Sequence, residues 1–161
     1  MQKYSIRNAR YEDLPRIGEI FDGARKFMAE NGNPTQWGKT EPPLEKLQND
    51  IAKQQLYVLE DERICGVFYF SMDPDPTYAV IEDGSWMSDG IYGTIHRIAS
   101  DGSGGIVRAA VEFGKTKCSH LRIDTHKDNL VMQHVVEKLG FSRRGIIYVS
   151  DGSPRIAYEM V

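Results

Sequence analysis

The chain has 161 residues, of which 40% are hydrophobic and 27% are charged. That balance excludes an intrinsically disordered protein, and the length suits one domain with its own core. Acidic and basic residues are interspersed and the formal net charge is -3, which argues against a protein that binds nucleic acid. We therefore predict a single domain over residues 1–161 without a nucleic-acid partner.

Neither the apolar residues nor the cysteines indicate a membrane or metal protein. The first residues are polar and contain no apolar signal core, and no later run approaches the roughly 18 apolar residues of a membrane helix. Cys65 and Cys118 lie far apart and have no Cys or His at ligand spacing. His126 and His134 also lack such partners. We predict a cytoplasmic protein with reduced thiols, no membrane partner and no metal site.

The first half of the chain is expected to contain an amphipathic helix and a hairpin. Apolar residues recur at steps of three and four, a pattern typical of a helix that Asp13 could cap; they are Leu14, Ile17, Phe21, Ala24 and Met28. Turn residues end this helix before Pro34. The other predicted elements are a strand around residues 4–6, a helix over 44–53, paired strands over 56–59 and 64–70, and a short strand over 78–81.

A strand, a glycine-rich loop and a helix follow one another in the second half. The strand over 92–99 leads through Gly102-Ser103-Gly104-Gly105 into an apolar helical pattern. A strand over 121–124, a helix over 129–139 and strands over 146–149 and 156–160 follow. A strand–helix–strand unit requires parallel strands, whereas hairpins are antiparallel. The sequence thus predicts an α/β (α+β) domain, with a mixed sheet covered by helices on both faces.

The glycine-rich loop has features of a phosphate site. It would leave backbone N–H groups unpaired at the positive end of the helix dipole, where a phosphate or pyrophosphate binds well. Glycines also form tight turns that bind nothing. The loop by itself leaves both interpretations open.

The order of elements along essentially the whole chain resembles the GNAT superfamily of N-acetyltransferases. The most specific likeness is the segment 124–133 with Lys138-Leu139-Gly140-Phe141, which is similar to the family's strand–loop–helix element ending in Lys-x-Gly-Phe. The resemblance implies a mostly antiparallel central sheet with one splayed parallel strand pair. It also implies acetyl-CoA as cosubstrate and direct transfer of its acetyl group to a primary amine.

The resemblance implies a set of contacts with acetyl-CoA. In the family, amides of a Gln/Arg-x-x-Gly-x-Gly/Ala loop bind the pyrophosphate; the loop here keeps a glycine at 105 but lacks the Gln/Arg. An Asn at the start of the later helix contacts the cofactor in relatives, although the same residue suits a helix N-cap. The implied cofactor-binding residues are Ile98, Ala99, Gly102, Gly104, Gly105, Ile106, Val107 and Asn129.

The sequence defines the general acid and the general base of the reaction less well than the cofactor contacts. Histidine generally titrates near neutrality, so His96 on the central strand would suit deprotonation of an ammonium group, directly or through water, and the alternative is a neutral structural histidine bonded to backbone. Glu82, next to Asp83, is the alternative base. Relatives carry a Tyr as general acid where this chain has Val136. Tyr148 is the candidate replacement, and the other route is departure of the thiolate with help from solvent.

The acceptor site and the class of activity leave alternatives open. Trp37 follows the first helix, where the family forms one wall of the acceptor site, so it is a candidate substrate contact or a residue at the edge of the core. The predicted partners are a small-molecule amine or a peptide amine, with a homodimer as a further option. The competing interpretations are a non-catalytic acyl-CoA-binding or sensor module, and a nucleotide-binding α/β domain.

Overall fold

The computed structural model describes residues 3–161 and contains one seven-stranded sheet with the strand order β1-β2-β3-β4-β5-β7-β6. The parallel neighbours are β4 and β5, and the other neighbours are antiparallel. This confirms the predicted mixed sheet. The strands are β1 (Ser5–Asn8), β2 (Leu56–Asp61), β3 (Arg63–Ser71), β4 (Gly93–Ser100), β5 (Leu121–Thr125), β6 (Ser142–Tyr148) and β7 (Pro154–Met160).

Four helices cover the two faces of the sheet, as predicted. They are α1 (Leu14–Glu30), α2 (Leu44–Ala52), α3 (Ile106–Lys117) and α4 (Leu130–Lys138). Helices α1 and α2 bury Ile17, Phe21 and Leu47 in one cluster with β2 and β3. Helices α3 and α4 bury Val111 and Val136 in a second cluster. Within residues 3–161, no helix has the length and apolar character needed to cross a membrane.

Asp13 precedes α1 as expected, but its carboxylate does not cap the helix. It accepts hydrogen bonds from the Arg7 guanidinium at 2.8 Å and from the Arg10 amide at 2.8 Å. The bond from Arg7 holds the pKa of Asp13 below its usual value. An ion pair with the neighbouring strand has therefore replaced the local cap, because the charged donor makes the stronger hydrogen bond.

The strand expected over 78–81 is absent, and the prediction was wrong. Pro76–Tyr78 form a short 3-10 turn instead, in which Asp75 accepts a hydrogen bond from the Thr77 amide at 2.9 Å. Farther along, Glu82 makes an isolated bridge with Ile146 of β6. The paired prolines and the capping aspartate favour a turn over the β-propensity of the residues that follow.

The parallel pair β4–β5 is joined only at its start. The paired residues are Gly93 with Leu121 and Thr94 with Arg122, and the pairing ends there. Farther along β4, the register against β3 shifts and Arg97 adopts a φ of 52°. An extra residue of this kind bends the strand and increases its local twist. The two strands consequently diverge toward their carboxyl ends, where a gap opens in the middle of the sheet.

The joined end of β4 and β5 requires glycine at position 93. A Cβ there would lie 2.6 Å from the Phe70 ring and 3.0 Å from the Leu121 side chain. We expect Gly93→Ala to lower the free energy of unfolding by about 1–3 kcal/mol, the usual cost of overpacking. Gly23→Ala in α1 is the matched control, because nothing lies within 4 Å of its added methyl group. The control should raise stability by about 1 kcal/mol through helix propensity. Denaturant unfolding measures both, and equal effects would contradict the packing argument.

Candidate active site

A cavity of about 440 Å³ opens where β4 and β5 diverge. Its walls combine both diverging strands with loops from distant parts of the chain. They are formed by Met28 of α1, Gln36 and Trp37 after it, residues 41–42, Lys46 of α2, Tyr69 of β3, residues 73–77, residues 94–98 of β4, residues 123–125 of β5, Asn129 before α4, Met132 of α4, and residues 149–151 with Arg155. A concave site at the end of diverging strands is a common location for ligand binding.

His96 lies in this cavity between two carboxylates. Its Nε2 is 2.7 Å from Oδ2 of Asp75, and its Nδ1 is 3.6 Å from Oδ2 of Asp124. The hydroxyl of Tyr78 donates to the same Asp124 oxygen at 2.7 Å. Because an ionised carboxylate only accepts hydrogen bonds, Nε2 of His96 is the donor to Asp75. In the neutral imidazole this leaves the lone pair on Nδ1, on the side of Asp124.

The groups around His96 are held in defined protonation states. Burial would raise the pKa of Asp75, but the hydrogen bond from His96 and the bonds from Thr77 outweigh it and lower that pKa to about 2. Burial, with the adjacent Asp124 carboxylate, raises the pKa of Tyr78 well above its usual value. Asp75 is therefore an anion and Tyr78 a neutral donor at physiological pH.

The glycine-rich loop before α3 is open above its backbone. Nothing lies within 4 Å of the position that a Cβ would take at Gly102, Gly104 or Gly105. Within residues 3–161, the amides at positions 104–107 donate to no acceptor. The Gly102 amide differs, because it already donates to Ser100 Oγ at 3.0 Å. The residues from 104 onward fit a pyrophosphate group, which binds well to open amides at a helix N-terminus.

The loop is fixed in place by two contacts from other elements. The Tyr4 hydroxyl donates to the Gly104 carbonyl at 2.6 Å. The Asp101 carboxylate accepts from Arg16 at 3.0 Å and from the Ser103 amide at 2.9 Å. The second contact is an ion pair that balances the negative charge at the start of the loop. A preorganised loop loses less entropy on binding a ligand.

Three further predicted residues lie near the cavity, with different surroundings. Ile98 lines it, and Ala99 follows in β4 but packs against the α1 side of the sheet. Asn129 lines the cavity and caps α4, since its Oδ1 accepts from the Met132 amide at 3.0 Å. Its amide nitrogen donates to Oε1 of Gln36 at 3.0 Å. The amide group keeps a second N–H and a second lone pair on Oδ1, so a contact with a cofactor is compatible with both bonds and stays a prediction.

Trp37 lies in a wall of the cavity and also packs on the core. Its ring meets Phe21 of α1 edge-on, with 5.4 Å between the centroids. Trp37 thus lies both at the edge of the core and in the cavity wall, and its contact with a substrate stays a prediction. The preceding residues are tied to the far side of the cavity, because Thr35 Oγ1 lies 3.3 Å from Nε2 of His126.

Glu82 and Tyr148 come together away from this cavity. The Tyr148 hydroxyl donates to Glu82 at 2.9 Å, which raises the pKa of Tyr148, and both side chains are exposed. Neither residue lines the cavity. Val136, at the position where relatives carry a Tyr, is fully buried in the α3–α4 cluster. Their roles in acid–base chemistry remain predictions.

Sequence reasoning missed the carboxylates on either side of His96. Asp75 belongs to the Asp-Pro-Asp-Pro segment, which the sequence indicates only as the end of a strand. Asp124 is the penultimate residue of β5, and the parallel register that pairs Thr94 with Arg122 brings it level with His96. The signal for Asp124 was present in the strand spacing, but it becomes visible only once the register is known.

Comparisons with solved structures agree with this geometry. An acetyltransferase of the GNAT family from Streptococcus agalactiae 2603 is 28% identical and superimposes with a TM-score of 0.88, covering 99% of this chain and 96% of its own. A GNAT-family acetyltransferase from Listeria monocytogenes is 16% identical with a TM-score of 0.70, covering 97% and 93%. A phosphinothricin acetyltransferase from Sinorhizobium meliloti, solved with AcCoA, is 16% identical with a TM-score of 0.63, covering 98% and 88%.

The two likenesses at 16% identity support the fold alone. No protein-family model matches the sequence, and no curated protein sequence matches it either. Three observations indicate the same family: the full-length likeness to the streptococcal enzyme, the splayed β4–β5 pair and the open loop before α3. The chain belongs to the GNAT superfamily and is an acyltransferase.

Proposed function

We propose that this chain is an N-acetyltransferase that transfers an acetyl group from acetyl-CoA to a primary amine by direct attack. The observation that carries the proposal is the cavity at the β4–β5 gap, because it contains His96 and its two carboxylates. The site for acetyl-CoA and the site for the amine would then meet in this cavity. Holding two reactants in contact contributes much of the rate enhancement in such transfers.

The donor side would use the backbone of β4 and of the loop before α3. The open amides at positions 104–107 would bind the pyrophosphate. Ile98 and Ala99 follow the irregular residue Arg97, where β4 has left β5. Their unpaired backbone groups would bind the pantetheine arm. Acetyl-CoA supplies the activated acyl group, and the protein supplies position and charge stabilisation.

The acceptor side would use His96 as the general base. Asp75 holds the imidazole through Nε2 and leaves Nδ1 to take a proton from the ammonium form of the acceptor. Orientation of a histidine by a carboxylate follows the same logic as in other acyl-transfer enzymes. Backbone N–H groups of β4 would stabilise the developing oxyanion, and the CoA thiolate would leave with help from solvent.

The competing function is an acyl-CoA-binding or sensor module without turnover. Val136 in place of the family's tyrosine and the altered glycine loop favour it. The polar cluster around His96 favours an enzyme, since a binding module has no need of an oriented histidine beside the acyl site. A cytoplasmic location, a homodimer and activity of residues 1–161 as one domain remain part of the proposal.

Acetyl-CoA should stabilise the folded protein against heat, whereas ATP and NADH should not. Only the folded state would hold the loop and the β4 edge together, so a ligand at 100 times its Kd adds about 2.7 kcal/mol. A thermal melt measures the shift, and a screen of primary amines with detection of released CoA thiol measures turnover. A shift with ATP and none with acetyl-CoA would refute the proposal. Binding without turnover of any amine would favour the sensor module.

The use of the glycine loop can be tested at Gly105. We expect Gly105→Asp to weaken acetyl-CoA binding by about tenfold or more, because its carboxylate would face the pyrophosphate. The φ of Gly105 is +80°, so any side chain there is strained, and Gly105→Asn is the matched control with the same shape but no charge. Titration calorimetry should show a much larger loss for Asp than for Asn. Similar affinities for the two variants would exclude the loop as the pyrophosphate site.

His96→Gln should lower kcat/KM for the amine by about 10²- to 10⁴-fold and leave acetyl-CoA affinity unchanged. It should also abolish the rise in rate with pH that the loss of a proton from the general base produces. Asp75 cannot cause that rise, because its pKa of about 2 keeps it ionised throughout. His134→Gln, at an exposed site on α4, is the control. A merely structural His96 would lower the melting temperature but keep the pH profile.

A further inference from the structure

Arg155 at the start of β7 is a buried cation in the cavity wall without an acidic partner. Its side chain donates to Ser153 Oγ at 3.1 Å, to the Pro154 carbonyl at 3.0 Å and to the Gln36 carbonyl at 3.3 Å. These acceptors are all neutral. Across the described residues 3–161, no carboxylate oxygen comes within 4.0 Å of it, although the residue is only 7% exposed.

The buried Arg122 and the half-buried Arg97 of the same sheet each have an acidic partner. Arg122 pairs with Glu159 at 3.3 Å and lies 4.0 Å from the Trp86 ring centroid. Arg97 pairs with Asp50 at 2.9 Å. The Asp151 carboxylate, in the turn before Arg155, is exposed and accepts hydrogen bonds from the amide and the hydroxyl of Ser153 instead. These bonds lower the pKa of Asp151, and the charge of Arg155 lowers it further, so the two charges interact without direct contact. A buried guanidinium with no carboxylate bonded to it is poorly compensated, so Arg155 is the exception that calls for a ligand.

The positive charge of Arg155 acts on its surroundings. Burial lowers the pKa of His126, and the nearby Arg155 lowers it further. Of the five N–H groups of a guanidinium, the one on Nε and one on Nη2 of Arg155 have no acceptor among residues 3–161. Two N–H donors on one guanidinium match the two oxygens of a carboxylate.

Strand register puts Arg155 on the same face of the sheet as the His96 cluster. Asp124 pairs with Ala157 across β5 and β7, and side chains two residues apart on a strand share a face. Arg155 is therefore the diagonal neighbour of Asp124, at a separation of about 7–8 Å. Both residues line the cavity. One end of the acceptor site thus carries Asp75 and Asp124, and the other end carries the buried Arg155 beside the exposed Asp151.

We propose that the acceptor is an amino acid or a similarly small amine that also carries a carboxylate, and that Arg155 binds this carboxylate. The inference rests on the proposed acetyltransferase function and specifies its substrate class. The ammonium group would lie at His96, Asp75 and Asp124, and the carboxylate would supply the counter-charge that Arg155 lacks. The spacing of the two ends suits a molecule in which only a few bonds separate amine from carboxylate.

The test compares acceptors that differ only at the carboxylate. For each amino acid that is turned over, kcat/KM is measured beside that of its carboxamide and its decarboxylated amine. The carboxamide has the less basic amine and the decarboxylated compound the more basic one, so a loss with both reports the carboxylate. We expect the amino acid to be preferred by about 10- to 100-fold, the range for a hydrogen-bonded charge.

Two variants assign the preference to Arg155. Arg155→Gln should reduce the ratio of amino acid to decarboxylated amine to about one, mainly through a higher KM for the amino acid. Arg143→Gln removes the same charge from an exposed position of β6 and should keep the ratio of the wild type. The measured quantity is the ratio of kcat/KM for the amino acid to kcat/KM for the decarboxylated amine, so partial loss of active protein does not affect it. If Arg155→Gln fails to fold, the comparison of acceptors on the wild-type protein still tests the inference.

The outcomes separate this inference from the proposed function. Turnover of amines without preference for a carboxylate would overturn the inference and leave the acetyltransferase function intact. A variant that slows all acceptors equally, with the ratio kept, would show that Arg155 serves only to hold Gln36 and the turn before β7. If no amine of any kind is turned over, the proposed function fails and the inference fails with it.

Discussion

The short hydrogen-bonded contact between β4 and β5 is the constraint on which the rest of the structure depends. Two neighbouring strands that part after two residue pairs leave backbone groups without partners in the centre of a sheet, which is costly unless something else satisfies them. The shift in register at Arg97 produces the divergence, and Gly93 permits the close contact at the joined end. The cavity and the location of His96 both follow from it.

Most of the fold was predictable because its signals are local. Period-three and period-four apolar spacing identified α1, and the glycine-rich loop identified the start of α3. The two errors have different origins. Asp13 bonds to Arg7 of β1 instead of capping α1, which depends on how β1 packs beside the start of the helix. The strand expected over 78–81 gave way to a local signal, because the paired prolines before Tyr78 favour a turn.

The candidate site was predictable only in part. His96 and the helix cap at Asn129 follow from residue type and position in the chain. Asp75 and Arg155 do not, because their role depends on which loops reach the gap and on the β5–β7 register. Glu82 and Tyr148 were predicted as a base and an acid of the site. The two residues do contact each other, but on an exposed surface outside the cavity. The residue types that suit the reaction could be identified from the sequence, whereas the distances between their side chains could not.

The walls of the cavity also divide between two kinds of segment. The β4 edge and the open amides follow one another in the chain, from β4 through the glycine-rich loop into α3, whereas Trp37 and Asp75 come from two separate connections between elements. Connections accept substitution and changes in length far more readily than strands and helices do. Selection could therefore alter the acceptor side by changing these two connections. A lineage can diversify its acceptors in this way while the donor half stays unchanged.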